Sequence, residues 1–305
     1  MSYAIEVKNL YFWYEEGFPV LKNINLTIKK GECVAIMGEN GAGKSTLMKI
    51  LYGMYTPDSG KILIHGEPVE MTDPSVAISK GIGMVHQHFM LVLPFTVTEN
   101  VILGSEPKKH NFIDYPKARE EVKSLSSKFG LDIDPDTKIE DLSIGLQERI
   151  EILKLLYRGA DILIFDEPTA VLTPQESDEL FKIIRSLKEQ GKTIIIITHK
   201  LEEVFAISDR ITVMRQGSVV GVVNSVETTK DELARMMVRR PVLFEVEKEE
   251  AKAGELILEM SDVYAPSSRK ASELKGISLT IKAGEIHGIA GVEGNGQTEL
   301  AEVIT

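Results

Sequence analysis

The sequence is poor in cysteine and has no excess of basic residues. Cys33 is the one cysteine in 305 residues, so no internal disulfide can form, and the apolar run around it predicts a buried strand. Acidic residues outnumber lysine and arginine, which gives a formal net charge of −11. Because nucleic-acid binding depends on basic side chains that neutralise phosphates, this balance disfavours a nucleic-acid partner, although a local basic face stays possible.

Long apolar segments are also missing. No run approaches the roughly 20 residues that a bilayer-spanning helix needs. The N-terminal segment MSYAIEVKN lacks the apolar core of a signal peptide. We therefore expect a cytoplasmic location, with membrane association only through a partner protein.

What is present is an ordinary globular composition, with 43% apolar and 27% charged residues. β-Branched runs such as 193–198 alternate with helix-like stretches, which predicts a parallel sheet covered by helices. Residues 90–160 show no strand pattern, and we expect a helical insertion there. Thr173, Pro174 and Glu176 form a capping-box signature that predicts a helix start.

An internal repeat organises the chain. The segment that begins at Lys22 aligns without a gap with the one that begins at Lys275, an offset of 275 − 22 = 253 residues. Each copy predicts an alternating strand, a Gly-Glu turn, a buried strand and a glycine-rich loop. We predict one whole domain over 1–240, a charged linker over 241–254 and the opening of a second copy over 255–305. That opening has too little chain to close its own sheet, so we expect it to pack on the first domain, pair with another molecule or stay partly ordered.

The glycine-rich loop of the first copy matches the phosphate-loop pattern G-x-x-x-x-G-K-[ST] in full. It follows an apolar strand and precedes a helix, as the motif requires. Backbone N–H groups and the helix N-terminus then surround phosphate, while Lys44 reaches the β- and γ-phosphates and Ser45 binds Mg²⁺. A glycine-rich turn with an incidental lysine is the alternative. The predicted nucleotide-binding residues are Gly38, Asn40, Gly41, Gly43, Lys44, Ser45 and Thr46.

Two adjacent carboxylates end the apolar run 162–166. Asp166 is placed to hold Mg²⁺ through water, and Glu167 to polarise an attacking water. Adjacent acids at a strand end are often only a solvated turn. The phosphate loop in the same chain favours the catalytic interpretation.

Together these motifs resemble the ABC ATPase family, over 1–240 and again over 255–305. The resemblance implies an α/β fold of the P-loop NTPase class with an antiparallel β subdomain and a helical subdomain, and ATP and Mg²⁺ as ligands. It implies that Gln87 touches Mg²⁺ and senses a membrane subunit, and that His199 contacts the γ-phosphate as a third catalytic residue beside Gln87 and Glu167.

The resemblance also assigns an aromatic residue to adenine stacking. Tyr14 is the candidate, with Phe12 and Trp13 as close alternatives.

The segment 142–149 stands at the position of the family's signature motif. It departs from LSGGQ at two positions but keeps Ser143 and Gly145, which would grip the γ-phosphate of an opposite subunit. A capped helix without a ligand is the alternative. Thr173 stands where the next loop of the family usually has Asp. In the second copy Gln297 replaces the loop lysine, so we expect little or no turnover there, or a scaffold alone.

Within the family, DEPTAVLTPQE and GVEGNGQTEL resemble importers of simple sugars and nucleosides, and MVHQHFMLV favours nucleosides. Such a subunit would pair its nucleotide domains and work with transmembrane permease subunits and an extracellular substrate-binding lipoprotein, at the cytoplasmic face of the membrane. We expect weak ATPase activity from this chain alone. A soluble ABC protein acting on ribosomes or DNA is disfavoured by the short acidic linker, and a non-catalytic regulatory module by the presence of Glu167 and His199.

Overall fold

The computed structural model describes residues 2–87, 89–238, 254–266, 273–291 and 295–305. The chain divides into two compact units, Met1–Val242 and Leu243–Thr305. The predicted linker lies almost entirely outside the described residues.

The first unit alternates strands and helices. Its strands are β1 (Tyr3–Trp13), β2 (Pro19–Lys29), β3 (Cys33–Met37), β4 (Ser59–Ile64), β5 (Glu67–Val69), β6 (Ile82–Val85), β7 (Lys108–Lys109), β8 (Phe112–Ile113), β9 (Ile162–Asp166), β10 (Thr193–Thr198), β11 (Arg210–Arg215) and β12 (Ser218–Asn224). Its helices are α1 (Lys44–Leu51), α2 (Pro74–Ser79), α3 (Val97–Ile102), α4 (Tyr115–Phe129), α5 (Ile144–Tyr157), α6 (Pro174–Glu189), α7 (Leu201–Ile207) and α8 (Lys230–Met237).

A six-stranded sheet carries the site, in the order β12-β11-β3-β10-β9-β6. Its strands are parallel except β12, which pairs antiparallel with β11. Every residue of β3, β9 and β10 is buried, which explains why these strands read as continuous apolar runs rather than as alternating ones. The parallel pairing brings the carboxyl ends of β3, β9 and β10 to one edge.

A second, antiparallel sheet has the order β2-β1-β4-β5. Ile5, Val7 and Leu10 of β1 are buried among alternating exposed residues, as expected for a sheet with one face against the core. The three-residue edge strand β5 was not predicted, because such a short segment carries no periodic signal. The predicted α/β class with an antiparallel subdomain is confirmed.

The predicted helical insertion contains α3, α4 and α5, which bury a common apolar cluster that includes Val101, Val122 and Ile150. The prediction that 90–160 has no strand was wrong in one place, because β7 and β8 form a minimal hairpin. His110 and Asn111 take φ values of 50° and 68° in its two-residue turn, the left-handed pair that such hairpins require. Two-residue strands leave no alternation for sequence analysis to detect.

The helix start predicted at Thr173 is confirmed. Thr173 Oγ1 accepts from Glu176 N at 3.3 Å, and Thr173 N donates to Glu176 Oε2 at 3.0 Å, which completes the capping box of α6. Among the residues described, no helix combines the length and the apolar character that crossing a membrane would require.

The second unit contains β13 (Leu256–Ala265), β14 (Leu274–Lys282) and α9 (Gln297–Ile304). The antiparallel β13–β14 hairpin repeats β1–β2. The buried strand predicted after it was wrong, because residues 285–291 form no strand and Ile286 is 87% exposed. In the first unit the equivalent strand β3 is paired on both sides, whereas the described part of the second unit offers no parallel neighbour.

Candidate nucleotide-binding site

The loop between β3 and α1 leaves a helix N-terminus open. Gly41 and Gly43 take φ values of 81° and 96°, a conformation that glycine adopts without strain. Gly43 is the N-cap of α1, and no side chain caps the helix. The first N–H groups of α1 are therefore available to an anion, and the helix dipole favours one.

Lys44 begins α1 and is only 5% exposed. Its Nζ donates to the carbonyl oxygens of Gly38 at 2.7 Å and Glu39 at 3.0 Å. Burial lowers the pKa of Lys44, while the carboxylates of Glu167 and Asp166 act in the opposite direction. A cation held in this way, little hydrated and close to acids, is well placed to balance the charge of a bound phosphate.

Ser45 and Asp166 meet across the edge of the sheet. Ser45 Oγ donates to Asp166 Oδ1 at 3.2 Å. Asp166 ends β9 and is buried, and burial raises the pKa of its carboxyl while the Ser45 hydroxyl lowers it. Hydroxyl and carboxylate oxygens are the hard donors that Mg²⁺ prefers.

The donor set fits a magnesium ion shared with a substrate better than one held by protein alone. Within the described ranges there is no cluster of three or more His, Cys, Asp or Glu side chains that could hold a metal ion. Mg²⁺ is commonly bound by one or two protein oxygens together with phosphate oxygens and water. Ser45, Asp166 and the amide of Gln87 would supply the protein share.

Glu167 lies where β9 gives way to a turn, and it faces His199. Its φ of 50° is unusual for a residue with a side chain, and its N–H donates to Ile197 O at 3.0 Å. His199 Nδ1 lies 3.1 Å from Glu167 Oε1, a distance at which a protonated Nδ1 donates to the carboxylate. Gln87 Nε2 is 3.5 Å from Glu167 Oε2. All three predicted catalytic side chains therefore converge, although they come from distant parts of the chain.

Residues 40–46, Gln87 and Glu167 line one cavity of about 330 Å³. His199 lies behind Glu167 and is not part of that lining. A larger open cleft, of about 760 Å³, lies on the face of α3 and α4. Its charged residues include Arg119 and Asp136, which pair with each other, so its size does not make it the better candidate. The smaller cavity is the candidate site, because the phosphate loop and Glu167 line it.

Tyr14 is the most exposed of the three candidate aromatics, since Phe12 is buried and Trp13 is partly buried. Its hydroxyl lies 3.1 Å from Thr46 Oγ1, beside the phosphate loop. The ring is 58% exposed and packs edge-on against Phe12 and Tyr55, with centroids 5.0 and 5.6 Å away. Phe12 is buried and offers no face to a base, which favours Tyr14.

The signature residues lie outside this cavity. Ser143 is the exposed N-cap of α5, and its Oγ accepts from Leu146 N at 3.4 Å. Gly145 N donates to Glu176 Oε1 at 3.2 Å, which ties the start of α5 to the capping box of α6. Within one chain the segment is a capped helix, and its predicted grip on the phosphate of a second subunit stays a prediction.

Sequence reasoning missed a link between α5 and the segment that follows Gln87. Glu151 accepts from Met90 N at 2.7 Å, and Lys154 Nζ donates to Met90 O at 2.9 Å. Glu151 and Lys154 also pair with each other at 3.1 Å. Both side chains are largely buried. The sequence signal that could have revealed them is a charged pair at i, i+3 within an otherwise apolar helix.

The second glycine-rich loop keeps one feature of the first. Gly296 is the N-cap of α9 with a φ of 95°, and no side chain caps that helix. Gln297 stands at the position of the loop lysine, and residues 292–294 lie outside the described part of the chain.

Comparison with known proteins places the sequence in a family. The ABC transporter family profile matches residues 21–170. The chain is 52% identical to the nucleoside import ATP-binding protein NupA of Lactococcus lactis subsp. cremoris, over 92% of this chain and 56% of that protein. It is also 52% identical to the guanosine import ATP-binding protein NupO of Bacillus subtilis, over 100% of this chain and 60% of that one.

A similar solved structure also comes from an ABC transporter. CbiO1 of Clostridium perfringens, part of the ABC transporter complex cbiONQ, is 33% identical with a TM-score of 0.65, and the match covers 74% of this chain and 90% of that one. The chain spans somewhat more than half the length of the curated relatives it matches. The phosphate loop, the acid pair and the overall similarity lead to one conclusion: the chain belongs to the ABC transporter family.

Proposed function

We propose that the first unit binds ATP and hydrolyses its γ-phosphate. The observation that carries this proposal is one cavity lined by a buried lysine, an open helix N-terminus and Glu167, whose carboxylate also contacts His199. Lysine and N–H groups recognise phosphate, and a carboxylate next to them is placed to act on water. Each group has a separate role in phosphoryl transfer to water.

The chain's own residues act in the following way. Lys44 and the N–H groups at the start of α1 bind the terminal phosphates and stabilise the charge that develops on them. Glu167 orients and polarises the attacking water, and His199 holds that carboxylate while facing the γ-phosphate. Mg²⁺, held by Ser45 and Asp166, would neutralise charge between the phosphates. Tyr14 stacks on the adenine.

We further propose that this activity powers import and that nucleosides are the cargo. Two relatives that are 52% identical are named as nucleoside and guanosine import proteins. In this role the chain docks on transmembrane permease subunits at the cytoplasmic face of the membrane and pairs its nucleotide domains, while an extracellular lipoprotein delivers the cargo to the permease. A simple sugar is the alternative cargo.

Replacement of the catalytic acid tests hydrolysis. Glu167→Gln keeps the shape of the side chain but cannot accept a proton from water, so ATP binding persists while phosphate release falls by about 10² or more. Binding is measured by calorimetry and turnover by phosphate release. Glu189→Gln, at the exposed end of α6, is the matched control. Unchanged turnover in Glu167→Gln would overturn the catalytic assignment.

Dimerisation is tested by the dependence of turnover on protein concentration. A site completed by Ser143 of a second chain gives turnover that rises more than linearly. Strictly linear turnover from a chain that light scattering shows to be monomeric over the same concentrations would exclude that arrangement.

Transport is tested in cells that carry Lys44→Ala in the complete protein. We expect uptake of labelled guanosine to stop while uptake of labelled ribose and glucose continues. Loss of sugar uptake alone would establish the sugar alternative, and unchanged uptake of all three would argue for a role outside transport.

A further inference from the structure

A buried carboxylate lies behind the Glu167–His199 pair. Glu203, on α7, is only 6% exposed. Its Oε1 accepts from Thr169 Oγ1, and its Oε2 accepts from Thr198 Oγ1 at 2.7 Å. Thr169 follows Glu167 by two residues, and Thr198 immediately precedes His199. One side chain therefore joins the two segments that carry the pair.

Lys200 closes this network from the other side. Its Nζ lies 3.1 Å from Glu203 Oε1 and donates to Thr169 Oγ1 at 3.0 Å. Its backbone N–H donates to Thr198 Oγ1 at 3.0 Å. A buried charge is costly unless it is paired and hydrogen-bonded, and this carboxylate has both an ion pair and two hydroxyl donors. Removing it would leave those buried donors without their acceptor.

The backbone alone does not fix the orientation of the Glu167 and His199 side chains. Glu167 holds a left-handed φ of 50°, a conformation that persists when its surroundings over-determine it. The bond from Glu167 N to Ile197 O fixes the main chain at one point. The direction of the His199 ring depends in addition on the turn that begins at Thr198.

We propose that Glu203 is a positioning residue, which holds the Glu167 and His199 side chains in contact by fixing Thr169 and Thr198. This inference rests on the proposed function for its catalytic consequence. The geometric part, that the contact between the two side chains depends on Glu203, can be tested without hydrolysis.

The geometric test follows the His199 ring by NMR in chains labelled with ¹³C-histidine. The chain has six histidines, and His199→Gln identifies the resonance of interest. We expect Glu203→Gln to move the His199 ring resonance toward its position in Glu167→Gln, where the partner carboxylate is lost. Glu202→Gln is the matched control, because the Glu202 side chain is 76% exposed and pairs only at the surface with Lys230.

A second pair of variants tests the same hydrogen-bond network by changing Thr198 instead of Glu203. Thr198→Val removes the hydroxyl without changing the side-chain shape, and Thr198→Ser restores it. We expect Thr198→Val to move the His199 resonance as Glu203→Gln does, and Thr198→Ser to return it. This pair keeps the inference testable if Glu203→Gln does not fold.

The kinetic test separates positioning from general stability. Glu203→Gln should lower kcat about tenfold and leave the KM for ATP within about twofold, because small misplacements of catalytic groups reduce the rate more than binding. An unmoved His199 resonance in both folded variants would overturn the inference even if the wild type hydrolyses ATP. A moved resonance in a chain that never hydrolyses ATP would keep the positioning and overturn the proposed function.

Discussion

The two glycine-rich loops of this chain agree in local geometry. The N-cap glycine of α1, Gly43, has φ and ψ of 96° and 4°, and that of α9, Gly296, has 95° and 7°. The agreement extends upstream to the Gly-Glu turns. Glu32 Oε2 accepts from Lys29 N at 2.8 Å, and its counterpart Glu285 Oε2 accepts from Lys282 N at 2.9 Å.

The same correspondence holds within the preceding hairpins. Asn9 in β1 and Asp262 in β13 both have a left-handed φ, of 48° and 51°. Asn9 N donates to the Asn25 side chain at 3.1 Å, and Asp262 N to the Ser278 hydroxyl at 2.9 Å. The strand pairing is irregular at the same point of both hairpins, between Val7 and Leu10 and between Met260 and Val263, although the side chains differ.

The two copies differ where long-range pairing begins. Ile36 in β3 is fully buried, whereas its counterpart Ile289, 253 residues later, is 52% exposed and outside any strand. In the second copy His287 and Gly288 also interrupt the apolar run. Caps and turns need only their own neighbours, but a central strand needs a strand on each side.

The largest expected effect is a loss of ATP turnover that occurs when the first glycine-rich loop is changed but not when the second is. Lys44→Ala should lower ATP turnover by about 10²–10³, because the loop loses the cation that balances phosphate charge. Gln297→Ala should leave turnover within about twofold. Phosphate release measures both. An equal loss in Gln297→Ala would show that the second loop takes part in hydrolysis.

The next effect is a difference in stability between substitutions at the buried Ile36 and at its exposed counterpart Ile289. Ile36→Ala should destabilise the first unit by about 3 kcal/mol, through lost apolar contact and a cavity. Ile289→Ala should change stability by less than about 0.5 kcal/mol, since its side chain is half exposed. Urea unfolding followed by circular dichroism measures the difference. Similar losses in the two variants would mean that the second copy buries this position after all.

A smaller effect concerns the helix caps. A Cβ on Gly43 would lie 2.6 Å from Leu21 Cδ2, and one on Gly296 would lie 3.1 Å from Leu274 Cδ2. Both alanines would also carry a left-handed φ, so we expect Gly43→Ala to cost about 2 kcal/mol and Gly296→Ala about 1 kcal/mol. Thermal unfolding compares them. A larger cost at Gly296 would contradict the looser packing of the second copy.

The smallest effect is a pH dependence of the second Gly-Glu turn. The hydrogen bond from the Lys282 N–H is the main cause that lowers the pKa of the Glu285 carboxyl, and His287 lowers it by a smaller amount. A lowered folded pKa stabilises the turn above the unfolded pKa, and this contribution is lost as the pH falls through the folded pKa. The Lys282 amide resonance should therefore titrate at acidic pH in the wild type. It should not do so in Glu285→Gln; a titration that survives there has another cause.

Local signals predicted the parts of the molecule that depend on local contacts. The capping box at Thr173, the open helix start at Lys44 and the end of β9 at Asp166 all follow from residues within a few positions of each other. The two-residue strands β7 and β8 were missed because they contain no period. The strand expected around Ile289 was wrong because an apolar run does not reveal whether its partner strands exist.

The site shows the same division. The sequence indicated Gln87, Glu167 and His199 as separate motifs, and only the fold brought them within hydrogen-bonding distance. Glu203 gave no motif, because a carboxylate on a helix has the same appearance in sequence whether it faces water or a buried hydroxyl.

By itself, the sequence determined the class of fold, the phosphate loop and the left-handed glycine of each copy, since these depend on backbone sterics and neighbouring residues. The tertiary structure decided which copy buries its strand, which lysine is desolvated and which carboxylates meet across the sheet edge. Those outcomes depend on β10 and β11 flanking β3, and strands so distant in sequence exert their effect only once the chain has folded.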